Sequence, residues 1–338
     1  MGLQEQFKKF NSNIKLTNIE HDDLMSKRDI LLGKLSGSEE LPGFEKYDQG
    51  SYAMHLGVKP IEGRQHDIDV ALRFHSNEDG TEPFEYKDAI YRVLEHHTEY
   101  GAEIKKPCVT VTYKRKDEPA YHVDLVPYVY ADCNDADSQM FISKGETEET
   151  AIWERADPVG LVDYIESAVE QGDERDQFRR IVRYLKRWKM LRFLKTGHGE
   201  PSSIGVTLIA ADNFSYAPED DLQALRTVCS AIQDRFFFAR YDGNGFPQYD
   251  IKCGMPDGLK FEPGSDVFGK MTLVQKTGFK QKIDNLSSVL EDVSVELDLV
   301  EQCRLLKGVF GDEFEVPDVR AVSRRQPRSF IPSTSSSG

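Results

Sequence analysis

An α+β fold of two lobes is what the sequence predicts, a mixed sheet with helices followed by a mostly helical lobe. Three observations carry this. Asp67 to Phe74 and Tyr121 to Tyr130 alternate apolar and polar residues with the period of a strand, and both fall in the first 130 residues. From Asp157 the apolar spacing changes to that of amphipathic helices. The 338 residues, 39% hydrophobic and 30% charged, suffice for one large or two medium domains and are too apolar for general disorder. The expected division is 1–150, 151–316 and a tail, 317–338.

Taken in order, Ile19, Leu24, Ile30, Leu31 and Leu35 predict a helix reaching Gly37, with Gly33 and Gly37 as stops. The loop SGSEELPG leads to Phe44–Val58, and the polar link KPIEGRQH leads to the strand from Asp67 to Phe74, closed by the turn SNEDGTEP. Ala89, Ile90, Val93, Leu94 and Tyr100 predict a helix over Phe84–Tyr100 with Gly101 as its C-terminal cap. Val109–Tyr113 and Tyr121–Tyr130 read as strands of a hairpin joined by KRKDEP. Beyond Asp157, helices are predicted over Val159–Glu170, Phe178–Leu194 and Asp220–Phe238, and Ile204–Ala211 reads as a buried helix or strand. A long helix is predicted over Asp284–Leu306, with Leu286, Val289, Leu290, Val293, Leu297 and Val300 facing inward. After Pro317 the composition turns to Arg, Pro and Ser, which cannot bury a core.

No uncharged apolar run approaches bilayer length, and the opening MGLQEQFKKF lacks the apolar stretch of a signal peptide. No membrane association and cytoplasmic residence are therefore expected. Cys108, Cys133, Cys229, Cys253 and Cys303 form no CxxC and no Cys/His grouping, so neither a disulfide framework nor a structural zinc site is indicated. The net charge of −15 works against sequence-independent binding to duplex nucleic acid. Any phosphate chemistry must rest on a local site or a bound cation.

Gly50-Ser51 followed by Asp67-Ile68-Asp69-Val70 and then Asp124 within Tyr121–Leu125 supplies such a site. Residues two apart on a strand share a face, so Asp67 and Asp69 point together while Ile68 and Val70 enter the core. Paired carboxylates repel each other unless a hard divalent cation such as Mg²⁺ sits between them. Asp124, on a neighbouring strand, completes a set for two ions that activates a hydroxyl and stabilises departing pyrophosphate. The implied chemistry is nucleotidyl transfer. Gly50 permits close backbone approach, and Ser51, at the start of a helix, offers its hydroxyl and amide to the β- and γ-phosphates. Taken singly, a DxD is commonly a solvated strand edge and a Gly-Ser pair a turn; their order and their apolar flanks make the case.

Through QGSYAM, HDIDVALRF and YHVDLVPYVY the chain resembles the DNA polymerase β-like nucleotidyltransferases, and its closest resemblance is to the bacterial cGAS/DncV-like branch, the CD-NTases. The likeness extends to about residue 315 through RRIVRYLKRWK, PSSIGVTLIA and the segment Asp250–Pro256. It implies a polymerase β-like first lobe with the active site in the cleft between lobes. It also implies two Mg²⁺ ions, or Mn²⁺, on Asp67, Asp69 and Asp124, and a donor triphosphate held by Lys186 and Ser203. The tyrosine that often follows that serine and stacks on the base is here Ile204. His96 and His97 read as solvated, with a place near the site as the alternative; His122 shares a strand face with Asp124 and either lines the pocket or is structural.

The function implied is synthesis of a cyclic di- or trinucleotide second messenger from nucleoside triphosphates, at least one of them a purine, in antiphage (CBASS) signalling, with a downstream effector reached through the diffusible product. Transfer of a nucleotide to an RNA, protein or small-molecule acceptor is the alternative, and a non-catalytic nucleotide-binding module is the reading from another class. Direct activation by duplex DNA is not expected, given the charge and the absence of a zinc-binding insertion. The tail from Val319 carries Arg320, Arg324, Arg325 and Arg328, no acidic residue, and ends at Gly338. It reads either as a plain disordered end or, as some relatives imply, as a handle that a ubiquitin-transferase-like enzyme couples through the Gly338 carboxylate.

Overall fold

The computed structural model describes residues 2–115, 118–194 and 199–318. In its first lobe, α1 (Leu3–Ile14), α2 (Asn18–Ser36), β1 (Phe44–Asp48), α3 (Gly50–Ala53), β2 (His66–Asn77) and α4 (Glu85–Leu94) are followed by β3 (Ala102–Ile104), β4 (Val109–Arg115), β5 (Glu118–Tyr130), β6 (Met140–Lys144) and β7 (Ile152–Ala156). The strands make one seven-stranded mixed sheet in the order β1-β2-β5-β4-β3, with β6 joined to β5 and β7 to β6. β2 and β5 run parallel and the other pairs antiparallel. Alternation divides the side chains between two faces. Ile68, Val70, Leu72, Val123 and Leu125 are buried beneath α2 and α4 with Leu24, Leu31 and Ile90, while Asp67, Asp69 and Asp124 take the opposite face.

The second lobe contains α5 (Pro158–Ser167), α6 (Asp173–Arg192), α7 (Ser203–Asn213), α8 (Asp221–Asp234), the hairpin β8 (Phe236–Tyr241) and β9 (Pro247–Ile251), α9 (Leu273–Val295) and α10 (Leu299–Phe310). Its core recruits α1 from the far end of the chain. Phe7 and Phe10 lie within 5.1–5.4 Å, ring to ring, of Tyr184, Phe310 and Phe314. Burying each phenyl is worth about 1.5–3 kcal/mol. Among the described residues no helix is long and apolar enough to cross a membrane.

Several elements depart from the sequence reading. The helix expected to run to Gly37 is two, because Thr17 and Glu20 form a capping box that restarts it; Gly33 lies inside α2 and only Gly37 acts as a stop. The helix expected to reach Tyr100 ends at Leu94, and Gly101, at φ 67°, closes a separate turn onto Thr98. Ile204–Ala211 is helical, within α7. The expected helix over Asp220–Phe238 gives way to β8, whose partner β9 returns after Asp242-Gly243-Asn244-Gly245. The long helix over Asp284–Leu306 is broken: Asp298 caps α10 by accepting from Val300 N and Glu301 N at 2.7 and 3.1 Å. Leu297, expected inward, is therefore 98% exposed. β1, β3, β6 and β7 were not anticipated. Lys116 and Asp117 of the hairpin turn, and the whole stretch Val319–Gly338 with its candidate handle, lie outside the described residues.

Candidate active site

The three acids meet through strand register. Asp69 on β2 is the direct partner of Asp124 on β5, and Asp67 is the partner of His122, whose Nδ1 lies 3.6 Å from Asp67 Oδ1. His122 thus lines the site beside Asp67. On the other edge of β5, Thr110 of β4 stands opposite Asp124 and its buried hydroxyl donates to Asp124 Oδ1 at 2.6 Å. One carboxylate oxygen of Asp124 is thereby oriented. Burial, then the charges of Asp124 and Asp67, push Asp69 up to about 7, with Lys186 partly opposing. Burial also raises Asp124, against the Thr110 hydrogen bond and Lys105.

Gly50 adopts φ 63°, in the left-handed region that favours glycine. A Cβ there would collide with the Asp69 carboxylate, its carbon 3.2 Å away. The turn therefore brings the backbone of α3 directly over Asp69. Ser51 is the second residue of α3, and its carbonyl accepts from Leu56 N at 2.8 Å.

α6 holds this loop from the other lobe. Arg183, Lys186 and Arg187, at helical spacing i, i+3, i+4, donate to the carbonyls of His55, Leu56 and Lys59 at 2.7, 3.0 and 2.9 Å. Lys186 so anchored also faces the acids. Its ammonium is pushed down to about 8 by burial and by Lys189, while Asp67 and Asp69 hold it up. Ser203 opens α7 and its hydroxyl receives a hydrogen bond from Lys189, which also donates to Pro201 O at 3.0 Å and pairs with Glu200 at 2.9 Å. The Ser203 hydroxyl is therefore held by Lys189, whose charge in turn disfavours that of Lys186. Asp250, in the segment that carried part of the resemblance, is instead paired with Lys276. His96 is exposed, and His97 is hydrogen-bonded to the Tyr113 hydroxyl at 2.8 Å.

A cavity of about 310 Å³ runs from Gly50 and Asp69 along the sheet face to α7. Tyr128, Ile142, Ile204, Met255 and Phe261 give it apolar walls, and the Lys144–Glu154 ion pair stands within it. The Tyr128 hydroxyl donates to Gln49 Oε1 at 2.9 Å. Tyr128 was legible by alternation, four residues beyond Asp124 on one strand. Thr110, Lys189, Lys144 and Glu154 were not, since their approach depends on which strands and helices pair.

The donor set suits a hard cation: all its donors are carboxylate oxygens, and burial disfavours the ionised forms of Asp69 and Asp124 until a positive charge joins them. Among the described residues no three His, Cys, Asp or Glu side chains already converge as a cage. Asp67, Asp69 and Asp124 are the residues here whose chemistry fits a hard divalent cation.

Residues 1–167 match the family described as the Second Messenger Oligonucleotide or Dinucleotide Synthetase domain (SMODS). A curated cyclic GMP-AMP synthase of Escherichia albertii is 23% identical over 199 residues, 55% of this chain; that stretch spans 41% of the relative's own length. Among solved structures, Bradyrhizobium diazoefficiens CD-NTase CdnG in complex with GTP superposes with a TM-score of 0.71 at 13% identity, covering 92% of this chain and 96% of that one. Vibrio cholerae DncV cyclic AMP-GMP synthase in complex with the linear intermediate 5′ pppA(3′,5′)pG gives 0.70 at 14%, covering 94% and 97%. At such identities these structures share the fold, the polymerase β-like arrangement with its helical second lobe. Residues 1–167 thus carry a Second Messenger Oligonucleotide or Dinucleotide Synthetase domain, and the chain as a whole shares the fold of the bacterial CD-NTases.

Proposed function

We propose that the protein is a metal-dependent nucleotidyltransferase that joins nucleoside triphosphates into a cyclic di- or trinucleotide, releasing pyrophosphate at each bond. The observation that carries this is the register of Asp69 against Asp124 directly beneath the Gly50 turn. Asp67 and Asp69 would hold two Mg²⁺ ions, with Asp124 sharing one of them. When bound, those ions neutralise phosphate charge and lower the pKa of the attacking hydroxyl. Gly50 and Ser51 admit the phosphates to the face of Asp69. Lys186 and Ser203 steady the triphosphate from the second lobe, and Lys189 fixes the Ser203 hydroxyl. Thr110 orients Asp124 through one oxygen, leaving the other to face the ion that would activate the acceptor hydroxyl. Closing a ring requires the same site to act a second time, on a linear intermediate that has turned over.

A place in antiphage signalling and a cytoplasmic setting belong to this proposal through the family. The test is pyrophosphate release from the four triphosphates with Mg²⁺. The expected result is release by the wild type and none by Asp67→Asn/Asp69→Asn; release that survives in the double variant removes the assignment.

A further inference from the structure

The cavity beside the acids has apolar walls in Tyr128, Ile142, Ile204, Met255 and Phe261, and an ion pair is set among them. Strands β6 and β7 bring Lys144 and Glu154 together as an ion pair on the face that also bears Tyr128 and Ile142. Ile142 is the register partner of both Tyr128 and Glu154, so these side chains emerge on one surface. The pair is neither solvated freely nor sealed: the two side chains are 28% and 32% exposed, and both line the cavity that reaches Asp69 and Gly50. An ion pair withdrawn from water into an apolar wall recovers little of its desolvation cost by itself. Its value rises when further donors and acceptors complete it.

We propose that Lys144 and Glu154 read the base of the bound nucleotide and select guanine. The inference rests on the nucleotidyltransferase reading, since it takes the phosphates to lie at Gly50 and Asp69. With the phosphates there, the base extends along the sheet toward β6 and β7, between Tyr128 on the sheet and Ile204 on α7. Ile204 offers no aromatic plane, so selectivity falls to the polar pair. A carboxylate accepts two parallel hydrogen bonds, and guanine alone among the four bases presents two adjacent donors, N1–H and N2–H, beside an acceptor, O6. Glu154 takes the two donors and Lys144 the O6. Adenine offers the carboxylate only its N6 amino group and cytosine only its N4 amino group. Uracil has one N–H flanked by carbonyl oxygens that a carboxylate repels. Lys144 and Glu154 are thus specificity residues, distinct from the acids that carry the chemistry.

The test is binding, independent of turnover. Dissociation constants are measured with Mg²⁺ for the α,β-methylene analogues of GTP, of ATP, and of ITP, which lacks only the 2-amino group. The wild type should bind the GTP analogue at least about tenfold more tightly than either of the others. Glu154→Gln should bring GTP and ITP within about threefold of each other, because the lost partner is the one that N2–H uses. Lys144→Met should weaken the GTP analogue more than that of 2-aminopurine riboside triphosphate, which lacks O6. Equal binding of GTP and ITP by the wild type overturns the proposal even if a variant fails to fold. So does a GTP preference that Glu154→Gln leaves intact. Absence of pyrophosphate release from every triphosphate would instead remove the nucleotidyltransferase reading, a separate outcome from the binding series.

Discussion

Gly50 and Asp69 form a pair in which each restricts the other. Alanine at position 50 carries the strain of a left-handed backbone, about 1–2 kcal/mol, and its methyl group pushes on the Asp69 carboxylate. Gly50→Ala is expected to fold with a lowered melting temperature and to lose pyrophosphate release more than tenfold, about the cost of a misplaced catalytic group. Asp69 itself is held at a cost. Its folded pKa, about 7, lies above the ordinary 3.8, so the stability linked to its protonation is complete below 3.8 and lost as pH rises through 7. Asp69→Asn should therefore match the metal-free wild type in melting temperature near pH 4 and exceed it increasingly up to pH 8, while turnover falls by about a hundredfold or more. A variant less stable than the wild type at pH 8 would contradict this. That Asp67 and Asp69 share a face was legible in the sequence because a strand's period of two fixes which side chains point together. Thr110 and Glu154 were not, because a hydroxyl opposite an acid, or an ion pair in a cavity, is visible only once pairing is known.

Elements were legible where one period ran uninterrupted, as in β2, β5 and α6. They failed where an apolar rhythm crossed a break. Leu286, Leu290, Val293, Leu297 and Val300 keep helical spacing, yet Asp298 caps a new helix and Gln302 donates to the carbonyls of Val293 and Glu296 at 3.1 and 2.9 Å. The chain turns there and Leu297 is left in solvent. β6 and β7 lacked alternation strong enough to announce strands, and they are the elements that deliver Lys144 and Glu154. Between elements, Lys87 of α4 is fully buried and its ammonium donates to the carbonyls of Lys106 and Gly145 at 2.6 and 2.7 Å, tying the helix to the loops before β4 and after β6. Burial pushes it down to about 8. A lysine whose folded pKa is depressed contributes stability that is present above 10.5 and lost as pH falls through 8. Wild type minus Lys87→Met in unfolding free energy should accordingly rise between pH 8 and 10, by up to about 1.4 kcal/mol per pH unit; a flat difference would show that the ammonium is not desolvated as its burial implies.

For the whole molecule, the sheet supplies the acids, the helical lobe supplies the cations, and α6 binds the two by gripping the loop after α3 with three basic side chains. The run of helices from α5 to α8 was legible from the change of period near Asp157. That α1 closes the core of the second lobe was not, since Phe7, Phe10 and Ile14 have the same helical spacing whichever lobe they serve. With a net charge of −15, the triphosphate binding proposed above would rest on this local cluster and on bound cations. The most direct test of the account is mass spectrometry of the products formed from all four triphosphates with Mg²⁺, after phosphatase treatment. A phosphatase-resistant cyclic oligonucleotide made by the wild type and absent with Asp67→Asn/Asp69→Asn is the expected result; products that all carry free ends, or no nucleotide product at all, would contradict it.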